Sequence, residues 1–297
     1  MTNPLGEKII INTKNLTTTP LTWQRYSKMV ENAIHFGIKD FLFTNDDLEY
    51  KFYCESRFKR IIELSAINTE NYSSPQDYIQ HTLRLHYLIN PRFPERLESF
   101  YKSVGQESID TIYVQHLPQQ DLLEGALSTA YEYKETGKVQ KVGMVFTSKV
   151  DAQTIEEVII EKKLDAVILQ DRALCFEAIP GFNTDIEINY DSELYNDAFL
   201  LINLLYLQKK ILKTTLLENQ KLMAELQQFL QEYSLESIMG KLEKQRVKHF
   251  IIHSDNDELL ECMLDCTGNG LSDSLLKSLH DQIETIKQVS KESWWLK

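Results

Sequence analysis

Apolar residues recur at helical and strand spacing through the central part of the chain. Leu97–Val104 has the spacing of an amphipathic helix and stops at Gly105, and Thr111–Gln115 is a run of β-branched and aromatic residues typical of a strand. Leu122–Tyr133 predicts a second helix, and Val142–Phe146 predicts a second strand. Strands that alternate with helices predict parallel strands joined by helical crossovers.

The same patterns continue along the rest of the chain. We predict strands at Lys8–Asn12, Lys39–Phe43, Arg60–Ala66, Thr111–Gln115, Val142–Phe146, Leu164–Gln170, Ile211–Leu216 and His249–Ile252. Further helices are predicted at Leu21–Phe36, Tyr78–Leu88, Ala152–Lys162, Tyr195–Gln208, Leu222–Tyr233 and Leu235–Leu242. A closed α/β barrel takes about 250 residues as one unit. Residues 1–297 are therefore predicted to form a single domain of this class.

Two segments depart from the regular order of strands and helices. Residues 68–96 contain a polar loop and the predicted helix Tyr78–Leu88, and we interpret them as a helical insertion that offers a docking surface on the outside of the barrel. Residues 171–194 have few periodic apolar positions and carry several acidic residues, including Asp191. We expect a long loop over the barrel mouth there.

Composition and charge narrow the classes of function. Hydrophobic residues make up 42% of the chain and charged residues 26%, and no apolar run approaches the roughly 20 residues that span a bilayer. The first residues lack the pattern of a secretory signal, so we expect a cytoplasmic protein. A net charge of −12 argues against nucleic-acid and anionic-membrane partners. The four cysteines form no C-x-x-C pair, and no metal site is predicted.

The run Leu97–Ser148 resembles the aldo-keto reductase family, whose members carry "LxxSLxxLGxxYIDLYxxHxP…GKVRxIGVSN" in this order. The matching residues are Leu97, Ser99, Val104, Gly105, Ile109, Asp110, Tyr113, His116, Pro118, Gly137, Lys138, Val139, Val142 and Gly143. The resemblance implies an aldo-keto-reductase-like (β/α)8 barrel of the TIM type. Active sites in such barrels lie at the C-terminal ends of the strands.

The family transfers hydride from NADPH to a carbonyl, with a tyrosine as proton donor. A lysine and an aspartate tune this tyrosine, since a phenol with an unperturbed pKa near 10 needs a nearby cation to donate well at neutral pH. The family's "FDTAxxYG" aligns here so that Phe43 replaces the aspartate and Leu48 the tyrosine. A second register, two residues along, places Asn45 and Tyr50 there.

Of the remaining two catalytic positions, one departs from the family's pattern and the other matches it. The predicted third strand offers Ala66 where the family has its lysine. His116 matches the histidine that orients the substrate oxygen. The resemblance therefore implies His116, with Tyr50 in the second register, as the candidate catalytic residues.

The cofactor positions also depart from the family's pattern. Val145 and Phe146 stand where the family binds the nicotinamide carboxamide with Ser-Asn, whereas Gln170 matches its carboxamide-binding glutamine. Ser254 and Asn256 fall in the segment that would hold the 2′-phosphate. Three carboxylates accompany them at the start of the predicted helix, and these repel an incoming phosphate. We therefore expect no tightly bound cofactor.

Two hypotheses of function remain open, and with them the question of whether the protein is an enzyme. The first is a pseudoenzyme, an accessory or regulatory protein that binds a protein partner, or a small-molecule ligand at a barrel mouth walled by Phe43, Val145 and Phe146. The alternative is a divergent NAD(P)H-dependent reductase with Tyr50 and His116 at its site. In that case NADP(H) is the expected cofactor.

Overall fold

Eight parallel strands form a closed barrel in which each strand pairs with the next along the chain and the last pairs with the first. Their bounds are β1 Ile9–Asn12, β2 Asp40–Thr44, β3 Arg84–Ile89, β4 Ile109–Gln115, β5 Val139–Thr147, β6 Ala166–Asp171, β7 Glu187–Ser192 and β8 Val247–Ile252. The computed structural model describes residues 6–13, 27, 30–44, 58–60, 62, 74–89, 91, 96–147, 149–171, 186–192, 195–196, 224, 228 and 235–253. The predicted (β/α)8 barrel is confirmed.

Helices flank the barrel at the positions that the connections require. Those with described bounds are α1 Pro75–Thr82, α2 Arg96–Val104, α3 Gln120–Glu135, α4 Ala152–Lys162 and α5 Leu235–Lys244. Gly105 and Gly137 follow α2 and α3 with φ values of 69° and 73°, in the left-handed region that glycine adopts without steric cost. These glycines end the helices and turn the chain into β4 and β5.

Side chains alternate between the barrel interior and the layer of helices, as the two-residue period of a strand requires. The interior cluster consists of Ile10, Leu42, Leu88, Tyr113, Val145, Ala166, Ile168 and Ile251. The neighbouring positions, Phe43 and Phe146 among them, belong to a larger outer cluster that also holds helix residues such as Phe100 and Leu127. The cluster to which a strand residue belongs shows whether its side chain points into the barrel or toward the helices. By alternation, it also shows which side chain at the end of that strand faces the mouth.

Charged side chains fill the end of the barrel at which the strands begin. Arg84 Nε donates to Asp40 Oδ1 at 2.7 Å, its Nη2 donates to Asp40 Oδ2, and His86 Nε2 lies 2.9 Å from Asp40 Oδ1. His249 Nδ1 lies 2.7 Å from Asn189 Oδ1. The contacts with Arg84 and His86 compensate the burial of the Asp40 charge, and the contact with Asn189 satisfies a polar atom of His249; either group would otherwise be costly to bury.

The third strand differs from the prediction. Residues 58–60 and 62 are helical, so the strand predicted at Arg60–Ala66 is wrong. The strand is Arg84–Ile89, and the helix predicted over Tyr78–Leu88 ends at Thr82. A short apolar run such as RLHYLI fits a helix or a buried strand equally well, and pairing with β2 and β4 decides between them. The interpretation of residues 68–96 as a helical insertion outside the barrel is therefore wrong, because they contribute β3 to the barrel wall.

The seventh strand also lies elsewhere than predicted. Glu187–Ser192 pairs with β6 and β8, inside the segment predicted as a loop over 171–194. The strand predicted at Ile211–Leu216 lies outside the described residues. The polar residues Glu187, Asn189 and Asp191 alternate along β7 and are buried, so the strand has no hydrophobic run for a sequence pattern to detect.

Within the described part of the chain, no helix combines the length and the apolar character needed to cross a membrane.

Candidate functional site

The C-terminal ends of the strands form the barrel mouth, where function is located in this fold. By alternation with the interior cluster, the side chains that face the mouth are Asn12 of β1, Thr44 of β2, Gln115 of β4, Thr147 of β5, Gln170 of β6 and Asp191 of β7. The mouth described here is therefore lined largely by amide, hydroxyl and carboxylate groups.

His116 lies beside the mouth on the outer side of the wall. Its backbone N–H donates to Val145 O at 3.0 Å, which continues the ladder one residue beyond β4 and places its side chain on the face opposite to Gln115. The imidazole packs against the ring of Phe146, with 5.2 Å between ring centroids, and Phe146 belongs to the outer cluster. Partial burial lowers the pKa of His116. The ring therefore contacts the layer between strands and helices.

Phe43 is also on the outer side. It packs edge-on against Phe58 at 5.3 Å and lies 5.2 Å from the ring of Phe100 in α2. The inward position at the end of β2 is Thr44, whose side chain cannot act as a carboxylate. The expectation that Phe43 walls the mouth is wrong, and so is the same expectation for Phe146, because both side chains point away from the interior.

Of the other predicted site residues, the structure describes some and leaves the rest outside the described residues. Val145 is in the interior cluster and 1% exposed. Thr147, the next inward residue of β5, pairs with Gln170 across the sheet. Gln170 is inward at the end of β6, as the match to the family's glutamine implies. Tyr50, Ser254 and Asn256 lie outside the described residues.

Asp191 is the centre of a hydrogen-bonded cluster at the mouth. The carboxylate is 1% exposed and accepts from Asn196 Nδ2 at 3.0 Å and from Gln170 Nε2 at 3.2 Å. His253 Nε2, just after β8, lies 3.1 Å from Asp191 Oδ2. A buried carboxylate needs such partners, because an unpaired charge in a low-dielectric interior is strongly unfavourable.

Asn196 joins this cluster to the backbone at the end of β7 and at the end of β8. Its Nδ2 also donates to the carbonyls of Ser192 and Ile251, and its Oδ1 accepts from His253 N at 2.7 Å. One amide thereby connects the end of β7, the end of β8 and the carboxylate of Asp191. Hydrogen bonds of this kind hold side chains in the fixed geometry that a preorganised site requires.

The sequence pattern did not identify this cluster. The predicted loop over residues 171–194 contains Asp191, and no sequence motif marks Asn196. The signal that could have found Asp191 is the polar residues at every second position of EINYDS, which is typical of a strand with a polar inner face. Asn196 and His253 have no such signal. In the described part of the chain, no group of three or more histidine, cysteine, aspartate and glutamate side chains could hold a metal ion.

Comparison with known proteins shows the fold. No family model matches the chain, and no curated protein matches it in sequence. An aldo-keto reductase from Bacillus halodurans, in its holo form, matches with a TM-score of 0.57 at 12% identity, over 93% of this chain and 91% of that one. The glycerol dehydrogenase from Gluconobacter oxydans matches with a TM-score of 0.55 at 12% identity, over 94% and 91% of the two chains.

An aldo/keto reductase from Brucella melitensis is similar to the same extent, with a TM-score of 0.52 at 12% identity over 92% of this chain and 93% of its own. These likenesses extend over nearly the whole length of each chain. The resemblance to aldo-keto reductases is thereby confirmed for the fold.

Proposed function

We propose that the chain is an aldo-keto-reductase-like pseudoenzyme, an accessory or regulatory protein of the cytoplasm that binds a protein partner or a small-molecule ligand through the barrel. The single observation that carries this proposal is the position of His116. Its ring packs against Phe146 on the outer side of the wall, while Gln115 takes the inward position. An imidazole so placed does not reach a carbonyl oxygen bound in the mouth.

The ends of β2 and β3 support the same proposal. The inward residue at the end of β2 is Thr44, and a hydroxyl lacks the charge with which the family's aspartate tunes its tyrosine. Strand β3 reads RLHYLI and carries no lysine. Without a cation beside it, a tyrosine with an ordinary pKa near 10 is a poor proton donor at neutral pH.

The test is a titration of the purified protein with NADPH and with NADH, followed by the fluorescence of the reduced cofactor and by calorimetry. We expect no binding at millimolar cofactor. Binding at micromolar concentration would overturn the proposal. Gln170→Ala is the matched variant, because it removes the one matching carboxamide contact and leaves the barrel wall intact.

A second candidate is a divergent NAD(P)H-dependent reductase of a carbonyl substrate, with Tyr50 and His116 at its site. It is favoured by Gln170, which faces the mouth as the nicotinamide-binding glutamine of the family does, and by the reductase and dehydrogenase names of the similar structures. This candidate predicts that Tyr50→Phe and His116→Ala abolish turnover in a screen of carbonyl substrates. Turnover that both variants retain would contradict it.

A further inference from the structure

One ring nitrogen of His86 is buried inside the barrel without a hydrogen-bond partner. The residue is 2% exposed, and its Nε2 lies 2.9 Å from Asp40 Oδ1. The other ring nitrogen, Nδ1, has no partner among the described residues. Buried polar atoms are nearly always hydrogen-bonded, because an unpaired one has lost its bonds to water and gained none in exchange. The position of Nδ1 therefore indicates a partner other than the described protein atoms.

Thr111 is the polar side chain beside His86 on the inner face of the barrel. The two residues are partners in the register of β3 and β4. Both face inward, because Leu88 and Tyr113, two residues further along each strand, belong to the interior cluster. Thr111 is 1% exposed, and its hydroxyl has one donor hydrogen and two acceptor lone pairs.

The spacing of the two strands suits a single molecule between these groups. Neighbouring strands lie about 4.8 Å apart, so the β-carbons of His86 and Thr111 are separated by about 5 Å. Thr111 Oγ1 is bonded to its β-carbon, and His86 Nδ1 is one atom further out. Polar atoms across such a gap that do not bond each other directly can be bridged by one water molecule with two hydrogen bonds of about 2.8 Å.

Tyr113, the next inward residue of β4, is not packed against the imidazole of His86. Its ring lies over Gly143 of β5, where an added β-carbon would come within 2.6 Å of Tyr113 Cε1. The ring centroids of His86 and Tyr113 are 6.2 Å apart, compared with 4.5 Å for the packed rings of Tyr87 and Phe100. The large side chain nearest to the His86 and Thr111 pair therefore lies toward the opposite neighbouring strand.

Water fits this position in either protonation state of His86. A neutral Nδ1 accepts a hydrogen bond and a protonated Nδ1 donates one, and a water molecule can take part in both. A metal cation requires the unprotonated nitrogen. An anion requires the protonated nitrogen and is repelled by the carboxylate of Asp40 on the other side of the ring.

We propose that one buried water molecule bridges His86 Nδ1 and Thr111 Oγ1 inside the barrel. This water joins two groups of polar side chains that are otherwise separate. The first is the Asp40 cluster, which consists of Asp40, Arg84 and His86. The site lies below the mouth, and the inference goes beyond the proposed function because it applies equally to a pseudoenzyme and to a reductase.

The second group starts at Thr111 and crosses the barrel to β7 and β8. Burial raises the pKa of Tyr113 well above its ordinary value, and side-chain hydrogen bonds from Thr111 and Asn189 oppose this rise. Asn189 Nδ2 donates to Tyr113 Oη at 2.8 Å, and Asn189 Oδ1 lies 2.7 Å from His249 Nδ1. With the water in place, a continuous chain of hydrogen bonds runs from Asp40 to His249.

A high-resolution crystal structure of the full chain tests the site directly. We expect a peak of electron density at about 2.7–3.2 Å from both His86 Nδ1 and Thr111 Oγ1. The proposal is overturned if the density shows no such peak, or if His86 Nδ1 bonds directly to a protein atom.

In solution, ¹⁷O magnetic relaxation dispersion detects long-lived buried waters through the water oxygen itself. Thr111→Val keeps the shape of the side chain without its hydroxyl, and the dispersion amplitude should fall by the contribution of one water. Thr111→Ser keeps the hydroxyl and should retain the wild-type amplitude. The matched control is Thr136→Val, at an exposed threonine just after α3, and it should change nothing. An unchanged amplitude in Thr111→Val, or an equal fall in Thr136→Val, would contradict the bridge.

Discussion

The ring of Tyr113 lies against the α-carbon of Gly143, its partner on the neighbouring strand of the barrel. A β-carbon added at Gly143 would come within 2.6 Å of Tyr113 Cε1 and 2.8 Å of the carbonyl oxygen of Ala166. The second contact is with backbone and cannot relax by a rotamer change. Gly143→Ala should therefore lower the free energy of unfolding by about 2 kcal/mol, the usual cost of overpacking a core. Urea unfolding of the two proteins measures the difference.

Gly125 is the matched control for this substitution. It lies in α3, and an added β-carbon meets no atom within 4 Å. Gly125→Ala should raise the free energy of unfolding by about 0.5–1 kcal/mol, because alanine has the higher helix propensity. If both variants lose stability equally, the close contact with Tyr113 is not the cause.

Asp40 makes the stability of the barrel depend on acidic pH. Burial raises the pKa of its carboxyl, but hydrogen bonds from His86 and Arg84 outweigh burial and bring the pKa to about 2, from an ordinary value of 3.8. Because the folded-state pKa is depressed, the stabilisation is complete above about pH 4 and is lost as the pH falls toward 2. It amounts to about 2 kcal/mol.

The variant Asp40→Asn tests this contribution. It should be less stable than the wild type at neutral pH, and the difference should decrease between about pH 4 and pH 2, as measured by urea unfolding at each pH. Asp121→Asn removes the same charge from the exposed first turn of α3 and should cost less than about 1 kcal/mol. A difference for Asp40→Asn that persists at low pH would contradict the assignment.

His249 acts in a higher pH range. Burial lowers its pKa, and the opposing effect of Glu187, 3.5 Å from its Nδ1, is smaller. The unfolded chain therefore binds the proton first, and stability decreases as the pH falls below the ordinary histidine pKa of about 6.5. His249→Asn keeps a donor near Asn189 and should show a shallower loss of stability between about pH 7 and pH 5. Parallel pH profiles would contradict this.

Lys163 ends α4 in the left-handed conformation, with φ 52° and ψ 47°. A side chain with a β-carbon is strained there, and glycine is not. Lys163→Gly should raise the free energy of unfolding by about 0.5–1 kcal/mol, whereas Lys163→Ala should give no such gain. Thermal unfolding of both variants measures the effect, and an equal response to glycine and alanine would contradict it.

The sequence by itself determined the helices and strands whose apolar residues recur at a regular spacing and whose ends are marked by a local residue signal. Leu122–Tyr133 lies within α3 and Val142–Phe146 within β5, because regular apolar spacing and the glycines at 105 and 137 are local signals. Such signals arise from interactions between residues close in sequence, which is why the (β/α)8 order was readable from Leu97 onward.

The tertiary structure decided what depends on neighbours distant in the chain. Strand β3 is a strand because β2 and β4 pair with it, and the polar β7 is one because buried polar partners such as Tyr113 and His249 meet its inner side chains. The side chains at the barrel mouth are likewise placed by residues distant in the chain. His116 matches the family's histidine in sequence, but the register of the closed barrel turns its side chain outward. Asp191 and His253, 62 residues apart, meet only when β7 and β8 pair. Which face a side chain occupies is set by strand register, and register is a property of the closed barrel.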